Sequence, residues 1–228
     1  MKSLQTWAWG KKIIPDEERK QKRNISSIFE LTCWNNVDFK KWCKEKTVLI
    51  TGDGLSLQED VKEFESWKIP HDLFCCNRSL LFFQRPVQHW AAVDTEECVW
   101  LAQYYSPENG NFLRHSIGGC GGFDVYWTAK GVQTEFGRRL WIGNTGYFAI
   151  LCALAMGYER IVVAGMPLDR NRHWYDPEGT EGPTWLGDVY TIWIDFKMKS
   201  PNADRVRSMS GYSAFILGEA KQEWLKLM

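Results

Sequence analysis

The stretch "NTGYFAILCALAMGYERIVVAGMPLD", Asn144 to Asp169, limits what this chain can fold into more than any other. It opens with a Gly-bearing turn, runs through apolar residues from Tyr147 to Met156, breaks at Gly157 and restarts as "RIVVAG". A helix apolar all round is a buried one, and a short β-branched run closed by glycine reads as a buried strand. Loop, helix, strand and loop in that order make the repeating unit of a parallel sheet.

The same grammar begins at Thr47. "TVLIT" is a strand ending at "GDG", and "SLQEDVKEFESW" is a helix with Leu57, Val61, Phe64 and Trp67 on one face. "DLFCCN" and "HWAAVD" are two more strands, and Thr95 to Tyr105 is a helix. "PTWLGDVYTIWIDFK" places Trp185, Val189, Ile192, Trp193 and Phe196 at helical spacing behind Pro183. "RVRSMS" reads as a last strand and "AFILGEAKQEWLKL" as one closing helix. The expected fold is therefore α/β: a Rossmann-like, mostly parallel sheet with helices on both faces, spanning 47–228. Within it a Gly-rich segment, about 106–143, reads as a mobile lid. Residues 1–46, with the charged run "DEERKQKR", read as an N-terminal helical arm, either solvated or turned to a partner or membrane surface.

Charge and cysteine usage narrow the function classes. Lys plus Arg and Asp plus Glu are 28 each, a formal net charge of zero, which argues against a general nucleic-acid binder. The seven cysteines, Cys33, Cys43, Cys75, Cys76, Cys98, Cys120 and Cys152, form no CxxC pair and mostly sit in apolar runs. They read as small buried hydrophobes of a reducing compartment, not as a disulfide frame or a zinc site. The opening residues lack the apolar core of a secretory signal, and Tyr147–Met156 is too short to span a bilayer. A cytoplasmic protein without a transmembrane segment is expected, with homo-oligomerisation left open. The thirteen tryptophans suit cores as well as base or sugar stacking and decide nothing alone.

In a parallel sheet ligands sit outside the carboxyl ends of the strands, so the loops there are the search area. Gly52 and Gly54 in "GDGLSL" permit tight turns and close approach to a ligand. Ser56 with Glu59 matches a capping box, which is compatible with a ligand role. The dinucleotide fingerprint is absent: Leu57 and Gln58 stand where its third glycine should approach, and Asn77, not an acid, ends the second strand. No GK[ST] of a P-loop occurs. Asn77 suits either a ribose or base edge, or simply a turn. Asn144, Thr145 and Gly146 open the buried helix, where they either cap it or offer donors to a phosphate. After the strand "RIVVAG", Asp169, Arg170, Arg172, His173, Tyr175 and Asp176 crowd one loop. His173 is the best placed of the four histidines for proton transfer, with His71, His89 and His115 read as structural.

On "VLITGDGLSL", "LFCCNRS" and the Asn144–Asp169 stretch, the chain resembles the bacterial sialyltransferase family that builds lipooligosaccharides. The resemblance covers about Thr47 to Gly165 and, more weakly, the C-terminus. The same layout is found in uncharacterised phage proteins and in archaeal-type pterin diphosphokinases, and "VRSMSGYSAF" with "RHW" looks closest to the phage members. The resemblance implies a transfer of sugar from a CMP- or UDP-linked donor to a hydroxyl acceptor, with no cofactor required. It implies nucleotide contacts at Gly52, Asp53, Gly54, Ser56, Asn77, Asn144, Thr145 and Gly146. Tyr175 would steady the leaving phosphate with help from Arg172, and His173, or else Asp94, would be the base. Three departures stand out: Asp53 replaces the family's Asn, "GMPLD" lacks the acid two residues after the glycine, and "KMKSPNADRV" lacks the family's catalytic histidine. Two other functions stay open on the same residues. One is a Mg²⁺-dependent diphosphokinase with Asp94 and Asp169 facing the metal; the other is a non-catalytic nucleotide-binding phage protein.

Overall fold

The computed structural model describes residues 31–33, 37–93, 112–117, 123–129, 144–183 and 186–227. Its centre is one eight-stranded sheet: β1 (Leu31–Cys33), β2 (Thr47–Thr51), β3 (Asp72–Cys76), β4 (His89–Ala91), β5 (Leu113–Ile117), β6 (Val125–Ala129), β7 (Arg160–Ala164) and β8 (Val206–Ser208). The order across the sheet is β1-β6-β5-β4-β3-β2-β7-β8. Every neighbouring pair is parallel except β1 with β6. Among the described residues five α-helices accompany it: α1 (Leu57–Ser66), α2 (Thr145–Met156), α3 (Leu186–Lys199), α4 (Gly211–Leu217) and α5 (Gln222–Lys226).

Side chains alternate across the pleat, and the alternation divides the interior in two. Val48, Ile50, Phe74, Ile161 and Val163 pack with Phe148 and Ala149 of α2 and Trp193 and Phe196 of α3. Leu49, Leu73, Val162 and Ala164 pack on the other face with Leu57 and Phe64 of α1 and Leu225 of α5. The central strands are thus covered on both sides, which is why they read as unbroken apolar runs. Helix α2 is buried through Ala153 and stops at Gly157, whose φ of +96° only glycine adopts without cost. No helix among the described residues is long and apolar enough to cross a membrane.

From β2 the chain steps through β3, β4, β5 and β6 in one direction, then returns to β7 and β8 on the other side of β2. Thr51 at the end of β2 lies level with Ala164 of β7 and with Cys75 of β3. The loops that follow these strands therefore open into one crevice at the point where strand order reverses, the place such sheets offer to ligands.

Four expectations need correction. Leu113–Ile117 and Val125–Ala129, assigned to a lid, are sheet strands; of the rest of 106–143 only Phe112, Phe123 and Asp124 are among the described residues. Of the expected helical arm, Leu31–Cys33 is the antiparallel edge strand, and Val37, Phe39, Trp42 and Cys43 pack on the core. The closing helix is two short ones, because Gly218 (φ +95°, ψ 145°) leaves helical space and its neighbour Glu219 bridges to Ser208. Ser56 is followed by a helix but does not cap it with its side chain. The helix expected over Thr95 to Tyr105 falls outside the described residues, as do Trp185, Cys98 and Cys120.

A hydrogen-bonded chain of polar side chains runs through the core at β3, β4, β5 and β6. Trp127 Nε1 donates to His115 Nδ1 at 3.0 Å, His115 Nε2 meets His89 Nδ1 at 3.0 Å, and His89 Nε2 meets the Tyr158 hydroxyl at 2.9 Å. Tyr158 then donates to Asp72 Oδ2 at 2.9 Å. An indole N–H can only donate, so His115 accepts at Nδ1 and carries its proton on Nε2. His89 must then accept at Nδ1 and donate from Nε2, which makes every bond in the chain point towards Asp72. Burial holds both rings neutral: it lowers His89 to about 3 and His115 well below its ordinary value, with His89 adding to the latter. The structural reading of these two histidines stands.

Candidate functional site

The turn after β2 and the turn after β7 are built against each other. Gly52 N donates to Ala164 O at 2.9 Å and Gly54 N to Gly165 O at 2.7 Å. A Cβ on Gly52 would collide with Met166 and one on Gly54 with Pro167, while one on Gly146 would run into the Met166 sulfur. Three of the glycines expected at the site thus make room for the loop 165–169. Close packing of protein on protein accounts for them before any ligand is invoked.

Asp60, in the first turn of α1, ties this region together. Its Oδ2 accepts Gly165 N at 2.8 Å, Ser56 Oγ at 2.9 Å and Ser210 Oγ at 2.8 Å. Ser56 is therefore spent on Asp60, and Glu59, its expected capping partner, is exposed. Burial pushes the Asp60 carboxyl up, with the amide and the two hydroxyls pulling the other way. Nothing in the sequence marked Asp60, since an acid in a first helical turn is ordinary.

Asn77 follows β3 directly and starts a 3-10 turn, Asn77–Phe82, with a left-handed φ of +50° that Asn tolerates better than most residues. Its carbonyl accepts Trp90 Nε1 at 2.8 Å, and its Oδ1 accepts the Thr145 hydroxyl at 3.1 Å. Thr145 in turn begins α2, whose N-cap is Asn144: Asn144 Oδ1 accepts Tyr147 N at 2.8 Å. Capping is thus the observed role of Asn144. The amides of Thr145 and Gly146 belong to the same first turn, where α-helical N–H groups have no acceptor within the helix.

The loop after β7 closes the crevice. His173 forms an isolated antiparallel bridge with Gly54, and Trp174 N donates to Asp53 O at 2.9 Å. Asp53 is buried beneath this contact, 8% exposed. His173 Nδ1 lies 2.9 Å from Asp176 Oδ2, which also accepts the His173 amide at 2.9 Å. The His173 ring stacks on Tyr175 (centroids 5.3 Å apart, planes at 14°), and the Arg78 guanidinium sits 4.9 Å from the Tyr175 ring centre. Arg172 donates through Nη1 to the carbonyls of Asp176 and His173.

Five of the expected residues are linked in this region: Gly54 with His173, His173 with Tyr175 (and with Asp176), and Asn77 with Thr145, while Arg78, next to Asn77 in the chain, lies against Tyr175. Asp169 is turned to its own loop, where it accepts the amide and side chain of Asn171. Asp94 lies outside the described residues. Among the described residues no group of three or more His, Cys, Asp or Glu could hold a metal ion. Asp176 and Arg78 were missed as partners. The spacing His-x-x-Asp was the available signal for the first, and no local pattern announces the second.

A carboxylate oxygen only accepts, so Asp176 fixes the His173 proton on Nδ1 and leaves the Nε2 lone pair for an incoming proton. An imidazole oriented by an acid and stacked on a tyrosine, with Arg172 next in the chain and Arg78 against that tyrosine, is a set that can take a proton from a hydroxyl and stabilise an anion. Comparison with known protein families, with curated proteins and with solved structures finds no match to this chain.

Proposed function

We propose that this chain is a glycosyltransferase of the sialyltransferase-like, Rossmann-like kind, moving a sugar from a nucleotide-activated donor to a hydroxyl acceptor. The observation that carries the reading is the His173–Asp176 pair, bridged to Gly54 at the sheet's switch point. The family's base position is empty in this sequence, and the pair supplies a replacement from another loop.

In this reading the nucleotide lies over Gly54, Asn77 and the first turn of α2. The acceptor oxygen attacks the anomeric carbon as the bond from that carbon to the phosphate oxygen breaks. The acceptor proton goes to His173 Nε2, while Asp176 stabilises the imidazolium that forms. The leaving phosphate is met by the amides of Thr145 and Gly146, by Tyr175 and by Arg172.

Thermal unfolding with CMP, UDP, GDP, ATP and their sugars, with and without Mg²⁺, tests it. A ligand at 100 times its Kd adds about 2.7 kcal/mol of stability. A metal-independent shift with one pyrimidine nucleotide is expected. A shift only with ATP and Mg²⁺ would move the function to diphosphate transfer, and tight binding without turnover would leave a binding protein.

A further inference from the structure

An open pocket of about 410 Å³ lies against the loop that carries His173, walled by Leu55, Arg170, Arg172, Thr180, Glu181 and Gly182. Gly182 shapes it: a Cβ there would collide with the carbonyls of Arg170 and Asn171, so only glycine lets the two stretches of loop lie together. Arg172 is held by two backbone carbonyls through Nη1, which leaves Nε and Nη2 as positioned donors.

The pocket meets the candidate site at one seam. Leu55 follows Gly54 and Arg172 precedes His173, and Gly54 and His173 are the bridged pair. Asn77, Arg78, Thr145 and Tyr175 are not in its walls. A ligand held here abuts the residues next to that pair, Leu55 and Arg172, and leaves the Asn77–Thr145 group open.

We infer that this pocket is the acceptor subsite and that it takes a sugar bearing an oxyanion, either a carboxylate or a phosphate. Its walls include two arginines against one acid, Glu181, and a guanidinium pairs an oxyanion through two parallel N–H bonds; Arg170 is the one not already placed on the leaving phosphate. Glu181 and Thr180 suit ring hydroxyls, which both donate and accept. The volume falls in the range of small-molecule sites, roughly 300–1,000 Å³. The word acceptor rests on the transferase reading; the affinity for an anionic sugar does not.

The test is calorimetric titration of the full chain with glucuronate, glucose 6-phosphate, glucose and inorganic phosphate, repeated on Arg170→Ala. Arg170 is exposed and belongs to no nucleotide contact, so the variant keeps the fold and any nucleotide-induced shift. Binding of glucuronate or glucose 6-phosphate, weakened roughly tenfold or more in Arg170→Ala, is the expected result. Which of the two binds names the oxyanion. Equal binding of glucose, undiminished binding in the variant, binding of inorganic phosphate as tight as the sugar phosphate, or no binding of either anionic sugar would overturn it. An Arg170-dependent anionic sugar site with no nucleotide shift keeps the subsite and removes the transferase. A nucleotide shift with no sugar binding does the reverse.

Discussion

The Asp60 carboxylate accepts the Gly165 amide at 2.8 Å, joining the first turn of α1 to the end of β7 across 105 residues of chain. The same oxygen takes the hydroxyls of Ser56 and Ser210, so the loops after β2, β7 and β8 share one acceptor. One buried carboxylate thus fixes the mutual position of these three loops.

Replacing Asp60 by Ala should therefore destabilise the fold by about 1–3 kcal/mol, the cost of leaving the buried Gly165 amide without an acceptor. Asp60→Asn keeps one acceptor oxygen and should lose less. Urea denaturation of the two variants checks the order, and an Ala variant as stable as wild type would remove Asp60 from this role.

Met166 gives a second test of how the loops fit. A Cβ on Gly146 would collide with the Met166 sulfur, so Gly146→Ala should cost roughly 1–3 kcal/mol through overpacking. Adding Met166→Ala vacates that space, and the double variant should be less destabilised than the sum of the singles, by about 1 kcal/mol or more. Simple additivity in a double-mutant cycle would mean the two side chains do not compete for one volume.

The His89–His115 pair predicts acid lability. Both rings are neutral in the fold, with the His89 pKa lowered to about 3 and that of His115 well below its usual value. Their unfolded counterparts take up protons below pH 6.5, so the stability these groups contribute is present above 6.5 and falls as pH drops. The slope should approach about 1.4 kcal/mol per pH unit for each ring. Nitrogen-15 NMR of labelled histidine at pH 5 should show two rings still neutral with the proton on Nε2; two protonated rings would refute the chain of donors.

On the proposed function, His173→Gln should lower turnover by about 10²–10⁴-fold, the usual weight of a general base, while the nucleotide-induced shift in Tm survives. Asp176→Asn retains an oxygen for Nδ1 but loses the charge, and should fall between wild type and His173→Gln in kcat with KM little changed. Loss of the shift together with activity would make the pair structural.

Much of the fold was legible because burial on both faces writes Thr47–Thr51, Asp72–Cys76 and Arg160–Ala164 as plain apolar runs. Strand β5 was not, because "LRHSI" hides a buried histidine whose polarity is satisfied only by Trp127 and His89, residues distant in sequence. Gly218 lies inside the run read as one closing helix, and the bridge of its neighbour Glu219 to Ser208 could not be inferred without knowing where β8 lies. Local patterns put Asn77, Thr145 and His173 among the candidates at the strand ends. They could not expose Arg78 over Tyr175, a contact between loops that follow different strands. Ser56 matched a capping pattern that Asp60, one turn later, took over.

The bridge at Ser208 also bears on how copies of this chain can meet. Ser208 N donates to Gly218 O at 3.0 Å and Ala220 N to Ser208 O at 2.8 Å, so the chain's own tail occupies the outer hydrogen-bonding groups at this point of β8. A sheet margin with unpaired amides is a template for another molecule's strand. Here the turn between α4 and α5 stands in that position, and strand-to-strand growth of assemblies is blocked at Ser208 by three residues that begin with a glycine.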